Sequence, residues 1–205
     1  MLYTTPCPRS TAGLTLIELI IGLTIGASVL VLSTPMANMY RANKNVSISY
    51  EFVSALNFAR SEAIKRGNRV TICRTISGTQ CEGEADVNGK KDWSKGWIVF
   101  SDINGNGRVN TTQDEILLVH HALADGFSLR SNAKVRVTFK PIGISPGYMD
   151  SWTICAPGNN DALTKGVIVA FTGRVRLAKD TDNDGIIDNG TPGSRSAPRN
   201  LHCSA

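Results

Sequence analysis

The stretch 13-GLTLIELIIGLTIGASVLVLSTP-35 is apolar enough to cross a bilayer, yet it holds one carboxylate, Glu18. About 20 apolar residues span a hydrocarbon core. A lone Asp or Glu inside such a segment costs roughly 2–3 kcal/mol even on the lenient insertion scales. No Lys or Arg lies between Leu14 and Tyr40, so the run offers Glu18 no counter-charge. The flank before it carries one basic residue, Arg9, which favours a cytoplasmic N-terminus. A secretory signal has an apolar core of about 7–15 residues followed by a small-residue cleavage site. Here the run is longer, no A-x-A site follows, and the small residue, Gly13, precedes it. Cleavage after Gly13 would place a new α-amino group on Leu14, four residues from Glu18. In an assembly of such helices, that amine could pair with the carboxylate of a neighbouring subunit. A buried, hydrogen-bonded pair can break even where a single buried charge cannot.

The motif GLTLIE before a long apolar run resembles the prepilin motif of type IV pilins and type II secretion pseudopilins. Leu14 stands where that family most often has Phe. The resemblance implies that prepilin peptidase cuts after Gly13, that the new amine on Leu14 is methylated, and that Glu18 serves assembly. It further implies insertion in the bacterial inner membrane, then polymerisation through the helix with other major and minor pilins. On this division, residues 1–13 are a removed leader and 14–39 a transmembrane and filament-core helix. Residues 40–205 form a globular domain exported to the periplasm and then the cell surface.

Removing 13 of 205 residues leaves 192, and setting aside 14–39 leaves one domain of ordinary size. The formal net charge of +5, or about +4 without Arg9, points only weakly to an anionic partner. Of five cysteines, Cys7 lies in the leader, and the other four form an even set in an exported domain. That setting favours two disulfides. Three pairings are open. The favoured one joins Cys73 to Cys81 across a short hairpin-like loop and Cys155 to Cys203, pinning the tail to a strand. Zinc lacks close-spaced ligand pairs.

Beyond Pro35, which should kink or locally unwind the helix, Val46, Tyr50, Val53, Leu56, Ala59 and Ala63 fall at helical spacing. Lys65 and Arg66 suit a last turn, and Gly67-Asn68 a stop. Then the pattern becomes β: RVTIC, GWIVF, EILLVH, KVRVTF, SWTIC and GVIVAF, separated by Gly, Asn, Asp and Pro. Six or seven antiparallel strands with one helix laid on them make an α+β domain. The segments SALNFARSEAIKRGNRVTIC and WSKGWIVFSDINGNG resemble the FimT/FimU/GspH group of minor pilins and pseudopilins, over most of the chain from Gly13 to about Arg176. In that group the fold is a long N-terminal helix packed on antiparallel sheets.

No enzyme emerges, because phosphate loop, nucleophile elbow and HExxH are all missing. Adjacent strand residues face opposite ways, so His120 and His121 read as one buried and one exposed histidine rather than a metal site. Two loops follow a calcium-loop template. The first, 102-DINGNGRVNTTQ-113, has one carboxylate in its first five positions and joins two strands as an Asn-Gly turn. The second, 180-DTDNDGIIDNGT-191, brings Asp180, Asp182, Asp184 and Asp188 with Gly185 in place, but Thr191 where a bidentate Glu belongs. Calcium is the candidate ion there, weakly held; no cofactor is required. The third candidate is 171-FTGRVRLAK-179. In extended backbone Arg174 and Arg176 point to one side and could grip successive phosphates of DNA. Lys179, Arg195 and Arg199 add charge in the same tail. The GRxR pattern resembles the FimT branch, linked to double-stranded DNA uptake in natural transformation. The rivals are a FimU-type structural minor pilin without DNA binding and a GspH-like pseudopilin of type II secretion.

Overall fold

The computed structural model describes residues 13, 15–83, 89–190 and 199–203, with the side chains of residues 29–35 outside that set. It divides into two units, Met1–Tyr40 and Arg41–Ala205. One helix, α1 (Leu16–Arg66), contributes to both.

In the first unit, Thr15 and Glu18 cap the helix reciprocally. The Glu18 N–H donates to Thr15 Oγ1 at 3.3 Å, and the Thr15 N–H and hydroxyl donate to Glu18 Oε2 at 3.5 and 3.4 Å. The T-x-x-E spacing is that of a capping box, which satisfies two of the helix's orphan N–H groups. Leu16, Ile17, Leu19, Ile20, Ile21, Leu23 and Ile25 are all exposed. Among the described residues no helix is long and apolar enough to cross a membrane. Residues 29–35, which complete the apolar run, have undescribed side chains. The helix continues through Pro35, so the expected unwinding there is absent. A missing N–H removes one rung of the ladder without ending it.

In the second unit, α1 buries Ile48, Phe52, Ala55, Leu56, Ala59 and Ala63. This corrects the stripe read from the sequence. Val46 and Tyr50 are exposed, and Val53 only borders the core. Spacings of three and four fit two adjoining rows of a helix equally well, and the row with the wholly apolar Ile48 and Phe52 faces inward while Tyr50, with its hydroxyl, faces out. Gly67, at φ +64°, ends the helix in the left-handed conformation, where glycine carries no steric penalty.

Nine strands follow among the described residues: β1 (Val70–Arg74), β2 (Lys91–Asp92), β3 (Trp97–Ser101), β4 (Ile116–His120), β5 (Ser128–Ser131), β6 (Arg136–Phe139), β7 (Asp150–Cys155), β8 (Lys165–Val169) and β9 (Val175–Leu177). They form two antiparallel sheets, ordered β4-β3-β1-β6 and β2-β5-β7-β8-β9. In the first, Ile72 pairs with Val99 on one side and Val137 on the other. In the second, Trp152 pairs with Ser131 and Val167. Both sheets share one core with α1. At its centre the Phe52 ring lies 5.6, 5.2 and 5.4 Å from Trp93, Trp97 and Trp152. The first two are edge-to-face and the third tilted, and such contacts stabilise beyond the area the rings bury. The α+β architecture is the expected one, with β2, β5 and β9 beyond the six apolar runs.

The histidine pair splits as expected except that His120 is half-buried rather than buried. Its ring is stacked on Trp97 at 3.7 Å, with Nε2 at 3.1 Å from Glu51 Oε2, while His121 is exposed. The strand ends at His120, so period-two alternation no longer governs the pair.

Candidate functional site

Cys73 joins Cys81, and Cys155 joins Cys203. The second bridge holds the C-terminal return, residues 199–203, against the end of β7. That return then pairs with the acidic loop. Asp188 bridges Asn200, the Asn189 N–H donates to the Arg199 carbonyl, and the Leu201 N–H donates to the Ile187 carbonyl.

The β8–β9 hairpin presents the arginines. The Gly173 N–H donates to the Ala170 carbonyl at 2.9 Å and the Ala170 N–H to the Arg174 carbonyl at 3.0 Å. Gly173 sits at φ +73°, and a Cβ there would lie 2.0 Å from the Gly143 carbonyl oxygen. Only glycine fits, because both the dihedral and the close approach exclude a side chain. Arg60 of α1 secures the same corner, donating from Nε to the Gly143 carbonyl at 2.9 Å. Arg174 is exposed. Arg176 is half-buried and spends one N–H on the Gly190 carbonyl at 2.7 Å. Burial first, and then repulsion from Arg174, lowers the Arg176 pKa below the usual guanidinium value. The two charges therefore sense each other. Lys179 and Arg199 are exposed at the same end of the chain, where the Lys179 backbone bridges Asp188. Arg195 and Leu14 lie outside the described residues.

The loop after β9 folds on its own carboxylates. Asp180 Oδ1 and Oδ2 accept from Asn183 N–H at 2.7 Å and Gly185 N–H at 2.9 Å. These bonds outweigh the effect of burial and hold the Asp180 carboxyl below its ordinary value. Asp182 shifts the other way, raised first by desolvation and then by Asp184 and Asp188, against the Asp184 N–H bond that lowers it. Oxygens of Asp180, Asp182 and Asp188 lie within 4.8 Å of one another. Asp184 is outside that group, contrary to the four-carboxylate reading. Its Oδ2 accepts from the Asn200 side-chain amide, a bond made by a return segment distant in sequence.

The sequence reading missed the capping role of Glu18. The T-x-x-E spacing was a usable signal, hidden by the processing motif that overlaps it.

The family model for the type II transport protein GspH matches residues 50–173. Among curated proteins none matches. The fold is similar to the crystal structure of the type IV minor pilin FimU from Pseudomonas aeruginosa, at 20% identity and a TM-score of 0.51. That alignment covers 66% of this chain and 88% of that one. A second crystal form of FimU aligns at 20% identity and a TM-score of 0.48, over 64% and 90%. The likeness to FimU concerns the fold alone, whereas the family model spans more than half of the sequence. The chain belongs to the GspH family.

Proposed function

We propose that the protein is a minor pilin of a type IV pilus. Prepilin peptidase removes residues 1–13, residues 14–39 hold the chain in the inner membrane, and the same helix then joins other pilins in the filament. The observation that carries this reading is the set of exposed apolar side chains from Leu16 to Ile25. Apolar surface left uncovered on that scale marks a membrane or protein contact. Glu18 is held by Thr15 within the chain, which orients its carboxylate at the helix start. The Leu14 amine of a neighbouring subunit then supplies the missing positive charge. Mass spectrometry of membrane fractions should find a mature N-terminus at Leu14, and any other start overturns the assignment. Glu18→Ala should still insert in the membrane but be depleted from sheared filaments. Normal filament content in that variant sinks the intersubunit pair. Recovery with a secretion pseudopilus instead of pili would favour the type II secretion role.

A second reading adds double-stranded DNA as a partner during natural transformation, through Arg174 and Arg176 with Lys179, Arg195 and Arg199 around them. Its support is that Arg174 and Arg176 project from a corner fixed by Gly173, close enough for one charge to act on the other. Replacing both with Gln should lower the slope of log affinity against log salt by about two, one unit per lost phosphate contact. An unchanged slope leaves a structural minor pilin of the FimU type.

A further inference from the structure

Asp188 is fully buried, and its Oδ2 accepts from the Thr181 N–H at 2.8 Å and from the Thr181 hydroxyl. Its other oxygen, Oδ1, is buried with no hydrogen-bond partner among the described residues. A buried carboxylate oxygen left unsatisfied is expensive, and such groups in folded proteins call for an ion or a water. The same carboxylate faces Asp180 and Asp182, with oxygens of all three within 4.8 Å. Among the described residues no ion pair from Lys, Arg or His reaches any of the three. Three like charges at this separation repel, and more strongly where one of them is out of water. A cation placed among them would remove the repulsion and give the buried Asp188 carboxylate the counter-charge it lacks.

We propose that Asp180, Asp182 and Asp188 bind one calcium ion. The donors are all carboxylate oxygens, which selects a hard cation over zinc or copper. Calcium suits the site better than magnesium because it accepts six to eight oxygens in flexible geometry, with water and backbone carbonyls completing the set. The twelfth loop position holds Thr191 rather than a bidentate Glu. The affinity therefore falls in the weak class of extracellular calcium modules, with a Kd of about 0.1–1 mM. This site stands apart from the filament and DNA readings. Its structural consequence is local. The Asp188 backbone bridges Lys179 and Asn200, and Gly190 accepts the Arg176 guanidinium, so a bound ion would fasten β9, the loop and the C-terminal return together.

The test is calorimetric titration of calcium chloride into the full chain in detergent micelles, with thermal unfolding at matched ionic strength. One calcium should bind per chain, and at ten times Kd the folded state should gain about elevenfold, a rise in melting temperature of about 3–6 °C. Asp188→Asn should weaken binding at least tenfold. Because Asp188 also holds Thr181, the exposed Asp182→Asn is the second variant, expected to weaken binding with its calcium-free melting temperature unchanged or slightly raised, since one of three repelling charges is gone. Glu82→Gln, an exposed-side carboxylate far along the chain, should leave binding as it is. No saturable heat up to about 10 mM calcium, ten times the weak end of that class, overturns the site. So does undiminished binding in Asp182→Asn.

Discussion

Residues 102–107 and 180–185 make the same turn. In each, the first Asp accepts from the Gly N–H five residues on, Gly107 at 3.0 Å and Gly185 at 2.9 Å. The residue two further along accepts from position five, as Asn104 does from Asn106 and Asp182 from Asp184. Position five then accepts from position seven, Asn106 from Arg108 and Asp184 from Ile186. The contents differ. The first loop holds a single carboxylate in the turn, Asp102, buried and tied to the Thr71 hydroxyl on β1 at 2.8 Å. The second brings three carboxylates together and is anchored mainly to the C-terminal return. The first lies within the residues matched by the GspH family model, and the second begins after that match ends at Gly173. One backbone solution thus serves two ends. With neutral Asn at positions three and five it is a structural corner of the sheet, and with Asp at positions three and nine it holds the cluster that we propose as a cation site. The turn template alone does not distinguish them, because it is satisfied by the loop's own N–H groups.

The largest expected effect separates the loops by their anchors. The Cys155–Cys203 bridge spans 48 residues, for which the chain-entropy model gives about 4 kcal/mol, against about 2.5 kcal/mol for the 8-residue Cys73–Cys81 bridge. Cys155→Ala with Cys203→Ala should lower unfolding free energy by about that amount. It should also release the return that holds the second loop. Hydrogen exchange should then speed up at the Asn189 and Leu201 amides, which bond across that junction, with no change at Gly107. Equal acceleration in both loops would mean that the second loop does not depend on the return.

Much of this arrangement was legible in the sequence, and what was not has physical causes. The six apolar runs became strands because Val, Ile and aromatic residues packed on both sheets dictate them. β5, SLRS, stayed hidden because Leu129 is its one apolar residue, and its buried Ser131 gives no hydrophobic signal. β9 lies in the extended segment that holds Arg174 and Arg176, but its pairing with β8 through Ile168 and Arg176 leaves no apolar signature in so short a run. The sequence leaves three cysteine pairings open, and the one favoured on loop length and location is the one that forms. The three-carboxylate cluster did not follow from spacing, because Asp184 is diverted by Asn200, a contact across 16 positions that no local pattern encodes.

A smaller effect tests the first loop. Asp102 accepts from Thr71 and from Gly107 inside the protein, so Asp102→Ala strands the Gly107 N–H and leaves the Thr71 hydroxyl only its Thr138 partner. The loss should be about 2–3 kcal/mol, read from urea denaturation. Asp182→Ala in the second loop, exposed and bonded to one N–H, should change stability by less than about 0.5 kcal/mol without calcium. If the two cost the same, the division into a structural corner and a cation site loses its basis.

The smallest expected effect reaches the first loop through the helix. In the last turn of α1, Arg66 donates from Nε to Glu62 Oε2 at 2.6 Å and from Nη1 to Glu115 Oε2 at 2.6 Å. Glu115 is where the loop rejoins the sheet, since its N–H donates to the Ser101 hydroxyl and its carbonyl accepts from the Ser101 N–H. The Arg66 bond, ahead of the opposing effect of burial and with help from Lys65, holds the Glu62 carboxyl below its ordinary value of 4.5. A depressed carboxylate stabilises the folded state fully above its unfolded pKa and loses that contribution as pH falls through the folded one. The stability difference between the protein and Glu62→Gln should therefore be constant from neutrality to about pH 5.5, then shrink on further acidification. Exchange at the Ser101 amide should follow the same course. The second-loop aspartates are present in both proteins, so their own titration cancels in the comparison. A difference that grows below pH 4.5 would show that Glu62 gains rather than loses its hold on Arg66 in acid, and would detach the first loop from the helix.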